Sequence, residues 1–330
     1  MPASAAFAGA LASLVLATTA PTSTELFRLQ DPALEESSGL AVSALHDGIV
    51  WTHPDGGEVA EVMAIDGRGR TVATVQLRGL DPYDPEALAP GRDDAGRPAL
   101  FLGDIGDNRA RRTDISVFRF PEPGRLDDQT VDADWFQFSY PDGPRDAEAL
   151  LVDPRDGRIW VATKDVFGGG LYRAPARPRT GRINPLERVG DVPGLITDGA
   201  FLPDGGFMLR SYTTAFRYDE VRRPSGQSVL PEQEQGESLA VDGERLLVGS
   251  EGERSAVFAV PLPSVDPLAT SPSAAPTGSA PDAAPGSPTE SPPGSGVSWP
   301  VVGLSLLAGA AAAAAGASAL RSRRRDRPSR

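Results

Sequence analysis

Acidic residues head a short phrase that recurs along this chain, each followed by a small residue and an aliphatic pair. Clear copies are Glu86-Ala87-Leu88-Ala89, Glu148-Ala149-Leu150-Leu151 and Glu237-Ser238-Leu239-Ala240; looser ones are Asp198-Gly199-Ala200-Phe201 and Ser38-Gly39-Leu40-Ala41. More acids stand nearby: Glu36, Asp84, Asp146 and the run Gly103-Asp104-Ile105-Gly106-Asp107-Asn108. Carboxylates gathered at one place repel unless they protonate, bond to cationic or N–H donors, or bind a hard cation through roughly six to eight oxygens. Asp84, Glu86, Asp104, Asp107, Asn108, Asp146, Glu148, Asp198 and Glu237 are therefore candidate calcium ligands. The alternative is that each acid accepts backbone N–H bonds and ties neighbouring units together. His53 and Glu148 are candidates for moving a proton, and Lys164, Arg210 and Arg109 for holding an anionic substrate. His46 reads as a turn residue. The chain has no cysteine, Gly-x-Ser-x-Gly elbow, phosphate-binding glycine loop or histidine-rich zinc motif, so those nucleophilic and metal chemistries are excluded.

Each copy of the phrase is followed by a polar turn and a second apolar run, at 49–52, 99–103, 158–163, 206–210 and 245–249. Self-similarity at roughly 40 to 60 residues with strand-length apolar runs describes propeller blades. Four strands per unit are expected at 40–43, 49–52, 61–65 and 71–77; at 86–90, 99–103, 115–120 and 134–140; at 148–152, 158–163, 170–173 and 185–189; and at 199–202, 206–210, 215–218 and 228–230. The last unit offers only 238–241, 246–249 and 256–260. Thr24-Glu25-Leu26-Phe27-Arg28-Leu29 stands before the first unit as an outer strand should, and is expected to complete the fifth blade, hiding two sheet edges. The expectation is an all-β, five-bladed β-propeller. A six-bladed ring and an open sandwich of hairpins are the alternatives. In such a disc the start of each first strand and the end of each second strand share one face. The repeated acids should thus meet His53, Asp55, Asp107, Lys164, Tyr212 and Glu251 around the axial mouth. The first copy carries Ser38 in place of the acid, and the gap beside His53 is where a ligand is expected. Trp51, Trp135 and Trp160 read as core or blade-interface residues.

The chain has 330 residues, net charge -13 and pI near 4.7, which speaks against a nucleic-acid partner because no basic stripe is present outside the extreme C-terminus. Residues 1–20 read as a signal peptide around an Ala- and Leu-rich run, although the usual basic start is missing. The propeller occupies 24–262, followed at 263–298 by a Pro-, Ser- and Ala-rich stretch with too little apolar bulk to fold, read as a stalk. Residues 299–320 carry no charge and have the length of a transmembrane helix, opened by Trp299, and the basic tail 321–330 is expected in the cytoplasm.

The segments Glu36-Ser37-Ser38-Gly39-Leu40, Trp51-Thr52-His53-Pro54-Asp55, Asp84-Pro85-Glu86-Ala87-Leu88, Gly103-Asp104-Ile105-Gly106-Asp107-Asn108 and Asp146-Ala147-Glu148-Ala149-Leu150 resemble the phytase-like or esterase-like (WD40-like) β-propellers, in particular membrane-anchored actinobacterial members. The resemblance covers residues 26–261 and implies a propeller fold with calcium at the axial face. Two functions fit these observations. One is a cell-surface binding or sensing module, held to the membrane by its C-terminal helix and presenting the acidic face to a wall polymer, carbohydrate or small molecule. The other is a calcium-dependent hydrolase of a small anionic or ester substrate. The residues alone leave open whether the protein is an enzyme.

Overall fold

The structure, a computed structural model, describes residues 23–56, 59–221 and 223–265. The expected signal peptide, apolar span, basic tail and all but the start of the stalk lie outside the described residues. Among those described, no helix is long and apolar enough to cross a membrane.

Five antiparallel sheets surround one axis. Blade one is Ser37–Val42, Val50–Pro54, Glu61–Ile65 and Thr71–Leu77; blade two is Pro85–Arg92, Pro98–Asp104, Ile115–Pro121 and Asp134–Ser139. Blade three is Ala147–Val152, Ile159–Thr163, Gly169–Arg173 and Glu187–Val192; blade four is Ile196–Phe201, Phe207–Ser211, Thr214–Tyr218 and Gly226–Val229. Blade five takes Gln235–Asp242, Arg245–Glu251 and Ala256–Pro261 from the end of the folded region and Thr24–Arg28 from its beginning. Thr24 pairs with Ala259 and Arg28 with Ala256, so the N-terminal strand closes the ring as expected. Each inner strand packs against the next, with that of blade five returning to that of blade one.

Two short strands depart from the expected four per blade. Gln129–Val131, from the long connection in blade two, runs parallel to Thr71–Leu77 of blade one. Ile183–Pro185, from the same connection in blade three, runs parallel to Asp134–Ser139 of blade two. The outer strand of blade three accordingly begins at Glu187, not at residue 185. Each short strand covers an edge that would otherwise expose unpaired N–H and C=O groups.

Apolar side chains gather in the seams between blades. Inner-strand neighbours point alternately to the preceding and the following seam, the period of two that strand pleating imposes. Leu150 and Val152 thus join Phe101 and Phe138 between blades two and three, while Ala149 and Leu151 join Phe207 and Leu209 between blades three and four. Trp51 is fully buried between blades one and two, its indole N–H donating to Glu122 Oε1 at 3.0 Å. Trp160 holds the equivalent position in blade three against Phe201. Trp135 differs from expectation: it is 47% exposed on an outer strand, with its N–H bonded to Ser116 Oγ at 2.9 Å.

The strand directions give the disc two unlike faces. Inner strands begin and second strands end at an acidic mouth. At the opposite mouth the far ends of the inner strands, including Pro90, Val152, Phe201 and Val241, line a cavity of about 240 Å³. Third strands end and fourth strands begin on that apolar side, so Pro261 and Thr24 both lie there.

Candidate metal centre at the acidic mouth

A β-bulge at the start of each inner strand aims the mouth-lining side chains. In blade two Pro85 pairs with Asp104 and Ala87 with Gly103, leaving Glu86 as the extra residue. Glu148 is extra in blade three, and Glu237 in blade five. An extra residue in one strand bends it locally and re-aims its side chain. In blade one Ser38 and Gly39 together oppose the single residue His53. In blade four Ile196 pairs with Ser211 and Asp198 with Arg210, so the bulged residue is Thr197.

The five equivalent positions are therefore Ser38, Glu86, Glu148, Thr197 and Glu237, which corrects the placement of Asp198. One residue of register turns a side chain to the other face of the sheet. Asp198 faces blade five, accepting from Leu239 N at 2.6 Å and from Gly199 N at 2.7 Å. Burial raises its pKa well above the usual range despite those bonds, and the residue ties two blades together. The hydroxyls at the other two non-acidic positions also bond to the next blade: Ser38 Oγ donates to Glu86 O at 3.0 Å and Thr197 Oγ1 to Gly236 O at 3.1 Å.

Three carboxylates converge between blades one and two. One oxygen from each of Asp55, Asp84 and Glu86 lies within 4.8 Å of the other two. Asp55 and Glu86 are buried and Asp84 half-buried. Burial, then the charges of Asp55, Glu148, Asp84 and Asp146, push the Glu86 carboxyl well above the usual range. Gly106 walls the cluster: a Cβ there would stand 2.5 Å from Asp84 Oδ2 and 2.8 Å from Glu86 Cγ, so only glycine allows this approach. Hard oxygen donors without nitrogen or sulfur suit calcium, magnesium or manganese, not zinc or copper. The set fits a hard divalent cation, with water or a ligand completing the shell.

Beside this cluster Glu148 Oε1 accepts from Lys164 Nζ, both side chains nearly enclosed. Glu148 Oε2 is buried with no hydrogen-bond partner. Burial raises the Glu148 pKa; Lys164 opposes this, and Glu237 and Asp146 add to it. Burial alone would lower the Lys164 pKa, but Glu148 and Glu237 reverse this and hold the ammonium charged. Its Nζ lies 5.0 Å from the centre of the Tyr212 ring. Glu237 and Glu251 share Gln235 Nε2, each at 2.8 Å.

The remaining predicted residues organise the rim. Asp104 Oδ1 accepts from Asp84 N at 2.9 Å and from Arg112 Nη1 at 2.8 Å. Asp107 Oδ2 accepts from Arg111 N at 2.6 Å and Arg112 N at 2.7 Å, shaping the loop that carries Gly106. Asp146 Oδ1 accepts from Asp107 N at 2.8 Å, joining blade three to blade two; burial raises its pKa. Asn108, Arg109 and Glu36 are exposed. Arg210 is fully buried and bonds the carbonyls of Ser211, Ser238, Gly249 and Tyr212 and the Gln233 side chain, so its donors brace backbone and leave none for a substrate. Its burial lowers the guanidinium pKa to about 10. His53 is fully enclosed, and burial lowers its pKa to about 4, the nearby Pro54 carbonyl opposing. It is a neutral interior histidine at physiological pH, and its Nε2 has no hydrogen-bond partner.

Sequence reasoning set Asp55 on the rim and a ligand at the gap beside His53, yet omitted Asp55 from the ligand set. Its signal was its place at the end of the second strand of blade one, next to the unit whose own acid is missing.

No described protein family matches the chain, and no curated protein does. Among solved structures it is similar to XC5397, a gluconolactonase of Xanthomonas campestris, at 13% identity and TM-score 0.46, covering 74% of this chain and 90% of that one. It is also similar to a luciferin-regenerating enzyme, at 11% identity and TM-score 0.42 over 68% of this chain and 77% of the other. Virginiamycin B lyase from Staphylococcus aureus shares 14% identity at TM-score 0.37, over 70% and 68% of the two chains. The likeness is one of β-propeller architecture alone.

Proposed function

We propose that the acidic mouth holds a divalent cation of the calcium type and that the protein uses it to hydrolyse a small oxygen-rich ester, lactone or phosphoester. The observation that carries this reading is the Asp55–Asp84–Glu86 cluster beside a buried carboxyl whose second oxygen is unengaged. The cation would supply Lewis-acid polarisation of the substrate oxygen. Asp55, Asp84 and Glu86 would hold it, and Gly106 keeps the wall thin. Glu148, anchored through Oε1 by Lys164, would take or return a proton at Oε2, and burial, which raises its pKa, favours its carrying one. The enclosure of these groups favours a small substrate over a polymer.

Glu148→Gln should retain calcium-dependent stabilisation while turnover of generic ester, lactone and phosphoester substrates falls by about 100-fold or more. Undiminished turnover in that variant would remove Glu148 from the chemistry. Failure of the wild-type protein to respond to any divalent cation would remove the reading altogether.

Binding or sensing without turnover is the second reading. It is favoured by the fully exposed Phe167, on a loop of the acidic face, whose ring could stack on a carbohydrate ring or wall polymer. Surface tethering through residues 299–320 belongs to either reading. What supports it is that Thr24 and Pro261, at the two ends of the closing blade, both lie on the apolar side, opposite the acidic mouth. Cation binding with no turnover of any ester class would favour this second reading.

A further inference from the structure

Two of the three bulge glutamates, Glu148 and Glu237, do not belong to the three-carboxylate cluster. What stands with them is the only lysine of the chain, reaching in from the end of the second strand of blade three. Lys164 Nζ is bonded to Glu148 Oε1 and lies over the Tyr212 ring, and Glu237, which holds the same bulge position in blade five, adds to the negative charge that it feels. Its backbone is fixed as well, Lys164 N donating to Asp146 O at 3.0 Å. The ammonium is therefore a compact cation delivered on a tether to acids equivalent by fold to Glu86. Lysine acts as a strongly hydrated point charge, closer to a small metal ion than the planar guanidinium of arginine is. Glu148 still has one buried oxygen without a partner.

We infer that Lys164 occupies a latent second cation position, bounded by Glu148 and Glu237, and that its presence restricts the mouth to a single divalent ion. This inference builds on the proposed function for the first ion but does not depend on its reaction. The restriction would follow from charge and space together. With the ammonium seated, a second ion would meet a positive charge among its ligands; without it, two buried carboxylates are left uncompensated. Removal of one partner from such a group is strongly destabilising unless another cation replaces it.

Calorimetric titration of calcium into wild-type protein, Lys164→Met and Lys164→Arg provides the test. One ion per wild-type chain, two per Lys164→Met chain and one per Lys164→Arg chain are expected. No binding to wild type but one ion in Lys164→Met would retire the first site and uphold only the assignment of Lys164 to a cation position, overturning the single-ion restriction. One ion of unchanged affinity in both would overturn it. Should Lys164→Met fold poorly, thermal unfolding of Lys164→Gln gives a second reading. Its melting temperature should rise more with calcium than that of wild type, and an equal rise in the two proteins counts against the inference.

Discussion

Single atoms decide the chemistry of the mouth. Gly106 has backbone angles that alanine can adopt, so its importance lies in space alone. Gly106→Ala should push Asp84 or Glu86 aside and weaken calcium binding by about tenfold or more, on the scale of about 1.4 kcal/mol per decade. Calcium titration checks this, and unchanged affinity would show that the cluster is not the cation site. His53 governs acid sensitivity in the opposite sense from its acidic neighbours. Its folded pKa near 4 lies below the model-peptide value of 6.5, so the unfolded chain binds a proton that the folded chain refuses. The stability it protects is complete above about pH 6.5 and is lost progressively as pH falls to about 4, by roughly 3 kcal/mol at the lower end. Glu86 and Glu148, with raised pKa values, retain protons in the folded state and oppose this trend. His53→Gln in chelator should therefore lose less stability than wild type between pH 7 and 4.5, measured by urea unfolding.

Strands and their seams set where those atoms stand. Arg210 ties blade four to blade five through Ser238 O and Gly249 O at 2.9 and 3.0 Å, close to Asp198 and Glu237. Arg210→Met should destabilise the fold by about 3–5 kcal/mol, because carbonyls and carboxylates stay buried without their donor; a loss below 1 kcal/mol in chemical denaturation would contradict the bracing role. Deleting Thr24–Arg28 should unzip the ring at blade five, giving non-cooperative melting and concentration-dependent association in light scattering as the open edges pair. The inner strands were legible in the sequence because the acid-small-aliphatic phrase repeats with each blade, and ring closure because blade five lacked one strand. Gln129–Val131 and Ile183–Pro185 were not, since three residues carry no usable alternation and their parallel partners belong to the preceding blade. The meeting of the acids at one mouth was legible too. Which of them stay available was not: Asp198, Asp146 and Asp104 are engaged by Leu239 N, Asp107 N and the Arg112 side chain, partners that register and loop geometry bring in. Nor did the pattern reveal that Thr197, one residue earlier, holds the bulge of blade four.

At the scale of the molecule, acids fill one mouth of a five-bladed disc and apolar side chains line the other. The acidic end carries unfavourable charge that a bound ion would relieve, so calcium at about 100 times its dissociation constant should add about 2.7 kcal/mol and raise the melting temperature by roughly 5–10 °C. Magnesium should act more weakly, because it sheds its waters reluctantly; equal melting in calcium and in chelator would refute a cation role for the mouth. The pairing of Arg28 with Ala256 also has a consequence for how the chain is made. The strand that seals the ring leaves the ribosome ahead of the rest of the folded region, and its partner is among the last of that region. At about 5–20 residues per second, that first strand waits on the order of ten to fifty seconds for its partner. Throughout that interval the blades can form in turn, but the disc stays an open arc, its two mouths unfinished and its end sheets exposed to neighbouring nascent chains.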